Sequence, residues 1–305
     1  MEGVMGKVRK TVAYHIKKWQ KKLRQQVLVF IKPTLKQPIF VVGCSRAGTT
    51  LVYKTLSESD ELGSLQKETH DFWAGLHPAS ERAWCSHAIP EEMASEEDRE
   101  KLGNFFYTET GKERIVDKNN QNGLSISYLY KLYPDAHFVF IKRSAGDNIN
   151  SLIVGWGKSN EFGGWSEALP EQVKVSSGRY ERWCFFLAEG WRDYLNRPIE
   201  EVCAFQYRMI NQAILDAKPL IPTSQWHEIG YEELIDNPVR EFERTFKECG
   251  LNFDKKVREH CEEVLQKPYN TFSKIEVDKW KRAENSERIE AVLPELDDLK
   301  RALGY

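Results

Sequence analysis

The chain has 305 residues, a mass of 35.5 kDa and a formal net charge of −2, which is long enough for one large hydrophobic core or two modest ones. Its 41% hydrophobic and 30% charged residues are typical of a soluble globular protein, and the near-neutral charge gives no case for nucleic-acid binding. No apolar run approaches the roughly 20 residues of a transmembrane helix, so we expect no membrane-spanning segment.

The six cysteines contain no C-x-x-C pair and no regular spacing, and the seven histidines show no metal-ligand pattern. We therefore expect reduced thiols, a cytoplasmic location and no bound metal. The sequence indicates nothing about the oligomeric state.

Residues 1–36 form a basic N-terminal arm whose composition differs from that of the rest of the chain. They carry ten Lys or Arg against one acidic residue. Between residues 7 and 30 apolar side chains recur at intervals of three or four, which predicts a helix with one apolar stripe and basic remaining faces. Such a helix either makes peripheral contact with an anionic membrane surface or packs its stripe on the rest of the protein.

Residues 38–51, with the sequence PIFVVGCSRAGTTL, are the most informative part of the chain. The apolar run predicts a buried strand of a parallel sheet; a turn of small residues follows, and then a helical pattern. Free N–H groups and the helix dipole converge on such a turn, which makes it suitable for an anion. Gly43 and Gly48 allow the backbone to approach that anion, and Thr49 and Thr50 add hydroxyl donors.

The spacing of this loop is close to that of a nucleotide-binding P-loop, G-x-x-x-x-G-K-[ST], but Thr49 replaces the lysine. A nucleoside triphosphatase needs that lysine on the β- and γ-phosphates, with Mg²⁺ beside it. A smaller terminal anion could instead be held by backbone amides, hydroxyls and the guanidinium of Arg46. Taken alone, the loop is also compatible with an ordinary strand–turn–helix junction that contains glycines.

Strand and helix patterns alternate through the rest of the chain. Further strands are predicted at residues 114–118 and 137–143, with one more strand and turn over 227–234, and helices from about residue 95, over 124–132 and over most of 155–270. This alternation predicts an α/β fold of three layers, in which helices cover both faces of a central parallel sheet. We expect residues 37–305 to form one catalytic domain behind the arm.

A second anion-binding feature follows the strand predicted at 137–143. Arg143 ends this strand, and the carboxyl end of a buried strand faces the crevice in which α/β sheets bind ligands. Ser151 lies on the following helix, on the face that turns back toward Arg143. A guanidinium and a hydroxyl suit a phosphate monoester, although Arg143 alone would be interpreted as a surface cation.

Together the two features resemble the sulfotransferases that use 3′-phosphoadenosine 5′-phosphosulfate (PAPS). The SRxGTT form of the loop is most similar to the tyrosylprotein and bacterial branch of that family. The resemblance extends over about residues 38–305 and implies a P-loop-NTPase-like sulfotransferase fold. It implies PAPS as co-substrate, 3′-phosphoadenosine 5′-phosphate (PAP) as product and no required metal.

The resemblance also implies which residues bind the nucleotide. The loop would hold the 5′-phosphosulfate, and Arg143 with Ser151 the 3′-phosphate. Tyr231 begins a YEEL segment similar to the family's YEDL, whose tyrosine contacts the adenine, and residues 273–275 resemble a late segment that closes over the nucleotide. The implied nucleotide-binding residues are Arg46, Ala47, Gly48, Thr49, Thr50, Arg143, Ser151, Tyr231, Ser273 and Lys274.

Four residues are implied as catalytic. Glu68, in the segment ETH, matches the general base of the tyrosylprotein branch, but His70 stands where that branch has an arginine. Because histidine is the base in the cytosolic branch, His70 is the second candidate. Lys118 resembles a family lysine that approaches the transferred group, and it would flank the sulfuryl oxygens together with Arg46. The alternative interpretation is that Glu68 and His70 are solvated loop residues and that Lys118 is a surface lysine at a strand end.

The expected acceptor is a hydroxyl of a small molecule, a carbohydrate or a lipid, with an amine as the alternative, and it attacks the sulfur by in-line displacement. Aromatic side chains could stack on a sugar or phenol or cover a lipid tail, although an aromatic residue at helical spacing is often part of the core. The candidates are Trp156, Phe162, Trp165, Tyr180, Trp183 and Trp191. The alternative functions are a P-loop kinase or nucleotidase with a degenerate loop, and a non-enzymatic nucleotide-binding scaffold attached to a membrane through the arm.

Overall fold

A four-stranded parallel sheet forms the centre of the computed structural model, which describes residues 15–16, 18–266, 269 and 275–305. The strands are β1 (Ile39–Val42), β2 (Val116–Lys118), β3 (His137–Lys142) and β4 (Trp226–Gly230), in the spatial order β2-β1-β3-β4. All neighbouring strands are parallel. The predicted central parallel sheet is therefore confirmed.

Helices connect the strands and follow the last of them. They are α1 (Thr49–Leu56), α2 (His70–Leu76), α3 (Glu96–Thr110), α4 (Ile126–Leu132), α5 (Ala145–Trp156), α6 (Ser159–Phe162), α7 (Val175–Gly178), α8 (Ile199–Ala217), α9 (Tyr231–Asp236), α10 (Pro238–Glu248), α11 (Lys255–Glu263), α12 (Ser286–Val292) and α13 (Asp297–Leu303). Helix α3 begins where the sequence predicted a helix start, and the Ser95 side chain accepts a hydrogen bond from the Asp98 N–H.

The prediction of a mostly helical segment over residues 155–270 is only partly correct. Residues 199–263 are largely helical around β4, but residues 157–198 consist of short turns and irregular chain. Glycines at 157, 163, 164, 178 and 190 interrupt this stretch, because glycine is the weakest helix former apart from proline. Residues 267, 268 and 270 lie outside the described residues.

Two hydrophobic clusters, one on each face of the sheet, make the fold three-layered. Side chains alternate along a strand, so Phe138 and Phe140 of β3 join one cluster and Val139 and Ile141 join the other. Helices α4, α5 and α8 supply residues to the first cluster, and α1, α10 and α11 to the second. β1 and the middle of β3 are buried on both faces, and this explains their continuous apolar sequences.

The N-terminal helix, helical over residues 18–27, contacts the domain through its basic side. Lys21 pairs with Glu109 near the end of α3. The Arg24 guanidinium donates hydrogen bonds of 3.2 Å to the carbonyl oxygens of Thr108 and Glu109, where a cation complements the negative end of the helix dipole.

The apolar stripe of the same helix faces solvent. Ile16 is 50% exposed, Trp19 63%, Leu23 40% and Val27 40%, and Phe30, just beyond the helix, is 86% exposed. Packing of this stripe on the domain is therefore not seen for the described residues. The first part of the predicted helix, residues 7–14, lies outside them. Among the described residues, no helix has both the length and the apolar character needed to cross a bilayer.

Candidate functional site

A cavity of about 900 Å³ opens at the carboxyl ends of the strands. Parallel strands bring their carboxyl ends to one edge, so loops that are far apart in sequence meet there. The predicted site residues that line this cavity are Arg46, Gly48, Thr49, Thr50, Glu68, His70, Lys118, Arg143, Ser151 and Tyr231. Ala47 is buried in the hydrophobic core instead, and Ser273 and Lys274 lie outside the described residues.

The loop between β1 and α1 has the backbone that an anion site requires. Gly48 adopts a φ of 106°, and a Cβ placed there would lie 2.8 Å from the Tyr231 ring, so only glycine fits. Arg46 has a φ of 69°, a left-handed conformation that is uncommon for a residue with a side chain. Helix α1 has no capping side chain and no acidic residue in its first turn. Its N-terminal N–H groups and dipole therefore favour an anion.

Three side chains from neighbouring elements hold this loop in place. The Asn148 amide donates to the Ser45 carbonyl oxygen over 2.8 Å, and the Asn120 amide donates to the Ser45 hydroxyl over 3.1 Å. The Arg143 guanidinium donates to the Arg46 carbonyl oxygen over 3.0 Å. Sequence reasoning did not identify Asn120 and Asn148, since neither belongs to a local motif.

Arg143 and Tyr231 form a second, separate part of the cavity. The guanidinium lies 4.1 Å from the centre of the Tyr231 ring, a cation–π contact that orients its planar fork. The Nε atom of Arg143 and the Oδ1 atom of Asn150 are buried and have no hydrogen-bond partner among the described residues. Buried polar groups are almost always paired, so these atoms indicate a polar ligand beside Ser151, the serine of helix α5 that also lines this cavity.

Glu68 lies between two groups that carry or can carry positive charge. Its Oε1 accepts a hydrogen bond of 2.6 Å from Lys118 Nζ, and its Oε2 contacts His70 Nε2. Burial would raise the pKa of Glu68, but the Lys118 charge and the hydrogen bond with His70 hold it well below its usual range. The carboxylate is therefore ionised, and it faces the cavity together with both partners.

Asp117, which sequence reasoning missed as a functional residue, anchors this cluster. It is 1% exposed and accepts hydrogen bonds from the Thr69 hydroxyl (2.7 Å), the Trp73 indole (2.9 Å) and the Asn122 amide (3.3 Å). Burial raises the pKa of Asp117, and these hydrogen bonds oppose that rise. Because Thr69 lies between Glu68 and His70, Asp117 fixes both residues against the end of β2.

The aromatic candidates divide between the core and the cavity. Trp156, Trp183 and Trp191 are fully buried and stack edge-on in a row, with ring centres 5.4 and 5.1 Å apart. They have no access to an acceptor, so for them the core interpretation is correct. Phe162 and Trp165 do line the cavity.

Further cavity-lining residues were not foreseen from the sequence. The rings of Trp73 and Phe185 join Phe162 and Trp165 along the wall. His87 also lines the cavity, and its Nδ1 accepts a hydrogen bond of 3.0 Å from the Leu187 N–H. Burial, with the neighbouring His70 and Arg82, lowers the pKa of His87 to about 3, so its imidazole stays neutral with the proton on Nε2. No sequence motif marks these residues.

Three solved structures illustrate the similarity of the fold. A Mycobacterium avium sulfotransferase aligns with a TM-score of 0.53 and 14% identity, over 88% of this chain and 76% of that protein. A sulfotransferase from Alicyclobacillus acidocaldarius gives 0.46 and 16%, over 87% and 96% of the two chains. A mouse sulfotransferase complexed with PAP gives 0.45 and 14%, over 88% and 87%. At this identity, the first alignment shows a common fold.

Sequence comparison assigns the family. No curated protein sequence gives a significant match. A family-level sequence model, described as the Sulfotransferase family, matches residues 38–255. The matched segment covers most of the chain and contains β1 to β4, the anion loop, Glu68, Lys118 and Arg143. The chain therefore belongs to the sulfotransferase family.

Proposed function

We propose that the protein transfers a sulfuryl group from PAPS to an acceptor hydroxyl. One observation supports this most strongly: an anion loop without a cap, an arginine with a buried unpaired Nε, and the Glu68–Lys118 pair all open into the same cavity. The loop from Arg46 to Thr50 binds the 5′-phosphosulfate. Arg143 and Ser151 bind the 3′-phosphate, and Tyr231 contacts the adenine.

In the proposed reaction the acceptor oxygen attacks sulfur as Glu68 removes the hydroxyl proton. The bond between sulfur and the 5′-phosphate oxygen breaks in line, and that oxygen leaves as part of PAP. Lys118, Arg46 and the loop N–H groups stabilise the charge that develops on the leaving oxygen and the sulfuryl group. Side-chain cations thereby take the role that Mg²⁺ has in a kinase, and the scheme requires no metal.

Lys118 links nucleotide binding to the strength of the base. The Lys118 contact keeps the pKa of Glu68 low, and this makes the carboxylate a weak base. When the phosphosulfate attracts the Lys118 ammonium, the carboxylate loses part of that stabilisation and becomes more basic. The acceptor is then deprotonated only beside a bound donor, and this arrangement limits side reactions of Glu68.

The acceptor is proposed to be a small molecule, a carbohydrate or a lipid with a planar or apolar body. A volume of about 900 Å³ is in the upper range of small-molecule sites and accommodates a nucleotide and a second compound. Trp73, Phe162, Trp165 and Phe185 provide ring faces along the wall, on which a sugar, a phenol or an acyl chain can pack.

Titration calorimetry with PAP in EDTA, compared with ATP, tests the donor site. We expect metal-free binding of PAP about 10- to 100-fold tighter than that of ATP, because ATP lacks the 3′-phosphate that pairs with Arg143 and a charged hydrogen bond contributes roughly 1.5–3 kcal/mol. ATP binding that appears only with Mg²⁺ would instead support the kinase or nucleotidase. PAP binding without sulfuryl transfer to any compound in an acceptor screen would support the scaffold.

We further propose that residues 1–36 are a separate arm that docks the catalytic domain, residues 37–305, on an anionic membrane surface. The exposed stripe includes Trp19 and Phe30, side chains that favour the membrane interface. The rest of the arm is rich in Lys and Arg, which are attracted to anionic lipids. The proposed location is the cytoplasm, where the six free cysteines stay reduced.

Co-sedimentation of the full chain with vesicles tests this docking. We expect binding to phosphatidylserine-containing vesicles, little binding to neutral phosphatidylcholine vesicles, and a loss of at least tenfold in Trp19→Glu/Phe30→Glu, because both side chains would be withdrawn from the lipid. Leu220→Glu, which changes an apolar residue outside the arm that is 52% exposed, is the control and should bind like the wild type. Unchanged sedimentation of the double variant would contradict membrane docking.

A further inference from the structure

Two histidines and a cysteine meet at the end of the sheet opposite the cavity. His137 is the first residue of β3, His227 is the second residue of β4, and Cys249 directly follows α10. The imidazole nitrogens and the thiol sulfur that could serve as ligands all lie within 4.8 Å of one another. His137 Nδ1 and His227 Nε2 are 2.9 Å apart. Three elements of the fold therefore present donor atoms to one point.

We propose that His137 Nδ1, His227 Nε2 and Cys249 Sγ bind one Zn²⁺ ion, with a water molecule as the fourth ligand. Imidazole and thiolate are the ligands that Zn²⁺ prefers, and three protein ligands with one open position are common. The set contains no carboxylate or carbonyl oxygen ligand, so it does not suit Mg²⁺ or Ca²⁺. This zinc site is independent of the proposed sulfuryl transfer.

Zinc binding requires the ligand atoms, which lie within 4.8 Å of one another, to draw together around the ion. Tetrahedral zinc with Zn–N bonds of about 2.0–2.1 Å places two ligand nitrogens about 3.3 Å apart, close to the 2.9 Å observed here. The imidazole rings now lie end to end, 17° from parallel with centres 5.2 Å apart. The His137 ring, which is only partly buried, has to pivot so that its lone pair points at the ion and not along the bond to His227.

The surroundings of His227 match a feature of known zinc sites. A zinc-bound histidine usually directs its other N–H at a carboxylate, and His227 Nδ1 lies 3.6 Å from Glu248 Oε2. Arg244 holds that carboxylate at 3.0 Å. Arg114, which hydrogen-bonds the Cys249 carbonyl oxygen, adds positive charge that partly opposes the rise in the pKa of the Cys249 thiol caused by burial.

Only one of the three ligands has to lose a proton when zinc binds. Burial, together with the charges of Arg114 and Arg244, lowers the pKa values of His137 and His227 to about 4. Both imidazoles are therefore neutral at pH 7 and have a lone pair to offer. Burial raises the pKa of the Cys249 thiol to about 12, so the ion has to displace that proton.

Binding accordingly releases one proton for each ion. The proton that now lies between the rings moves to His137 Nε2, which frees His137 Nδ1 and His227 Nε2 for the ion, and the Cys249 proton leaves to solvent. Because the ion would join β3, β4 and the end of α10, its role is to stabilise the fold.

The test uses the full chain, stripped with a chelator and titrated with Co²⁺ and then Zn²⁺. We expect one Zn²⁺ per chain after desalting, a thiolate-to-cobalt charge-transfer absorption, and a higher unfolding temperature with zinc, since a ligand that binds only the folded state stabilises it. Cys249→Ser should abolish the charge-transfer band, and His227→Gln should weaken zinc binding at least tenfold. Cys261→Ser, a buried cysteine of the same hydrophobic cluster, should leave both unchanged.

Two results would overturn the proposal. First, the wild-type chain could fail to retain stoichiometric zinc at micromolar concentration. This result does not depend on whether a variant folds. Alternatively, Cys249→Ser could keep the charge-transfer band, which would place the thiolate elsewhere. PAP affinity measured with and without zinc should be the same, because the cavity lies at the other end of the strands; zinc-dependent PAP binding would assign the ion to the cavity histidines instead.

Discussion

Glu68→Ala is expected to lower kcat by about 10²- to 10⁴-fold, the range that general acid–base catalysis contributes. PAP affinity should change by only a few-fold, because Glu68 receives the acceptor proton and does not hold the nucleotide. The measurement is the rate of PAP release from PAPS with the acceptor found by screening phenols, sugars and lipids. Glu81→Ala, which changes an exposed glutamate outside the cavity, is the control and should retain wild-type turnover.

The pH dependence of kcat distinguishes Glu68 from His70 as the base. Glu68 is active when ionised, and Lys118 and His70 hold its pKa well below the usual range. In the donor complex, where the phosphosulfate draws Lys118 away, that pKa rises toward the range of an ordinary carboxylate, so turnover should fall only below about pH 5. A histidine base would lose activity as the pH falls through the region where histidines titrate, roughly pH 8 to 5. Undiminished turnover in Glu68→Ala, with loss in His70→Ala, would assign the base to His70.

Arg143→Ala is expected to weaken PAP binding about 10- to 100-fold, since it removes a charged donor from a phosphate and leaves the other binding groups in place. Adenosine 5′-phosphate, which has no 3′-phosphate, should bind the variant and the wild type almost equally. The preference for PAP over adenosine 5′-phosphate is therefore the quantity to measure by calorimetry. Thr49→Ala should weaken both nucleotides together, because its hydroxyl acts on the 5′ side.

Lys142→Ala is the matched control for Arg143→Ala. Lys142 ends the same strand, but its ammonium lies 3.2 Å from Glu228 and does not line the cavity. Its removal should leave both nucleotide affinities unchanged. If Arg143→Ala weakened PAP and adenosine 5′-phosphate equally, the arginine would support the loop through its hydrogen bond to the Arg46 carbonyl oxygen and would not recognise the 3′-phosphate.

Local sequence was sufficient to predict the elements whose structure depends mainly on residues adjacent in the chain. The strand–loop–helix from residue 38 was predicted because apolar run, small turn and helical pattern are contiguous, and β1 and α1 are found there. The Ser95 start of α3 is a similar case, since a cap acts over three residues. The placement of Arg143 at a strand end also followed from a short apolar run.

Local sequence patterns could not predict interactions between segments that are distant in the chain. Asp117 was passed over because its partners Thr69 and Trp73 lie more than 40 residues away. Asn148 supports the loop from another element, α5. A tryptophan such as Trp183 looks the same in the sequence whether it packs in the core or contacts a ligand. The sequence therefore could not distinguish a core tryptophan from one that lines the cavity.

The sequence by itself determined the alternation of strands and helices, the family and ten of the residues that line the cavity, because those features depend on short contiguous motifs. Only the tertiary structure decided how they combine. It placed Lys118 and His70 on opposite oxygens of Glu68, turned the apolar stripe of the arm to solvent, and brought His137 and His227 together with Cys249. Each of these outcomes depends on how helices, loops and strands pack against one another. That packing joins residues that are far apart in the sequence, and no local pattern connects them.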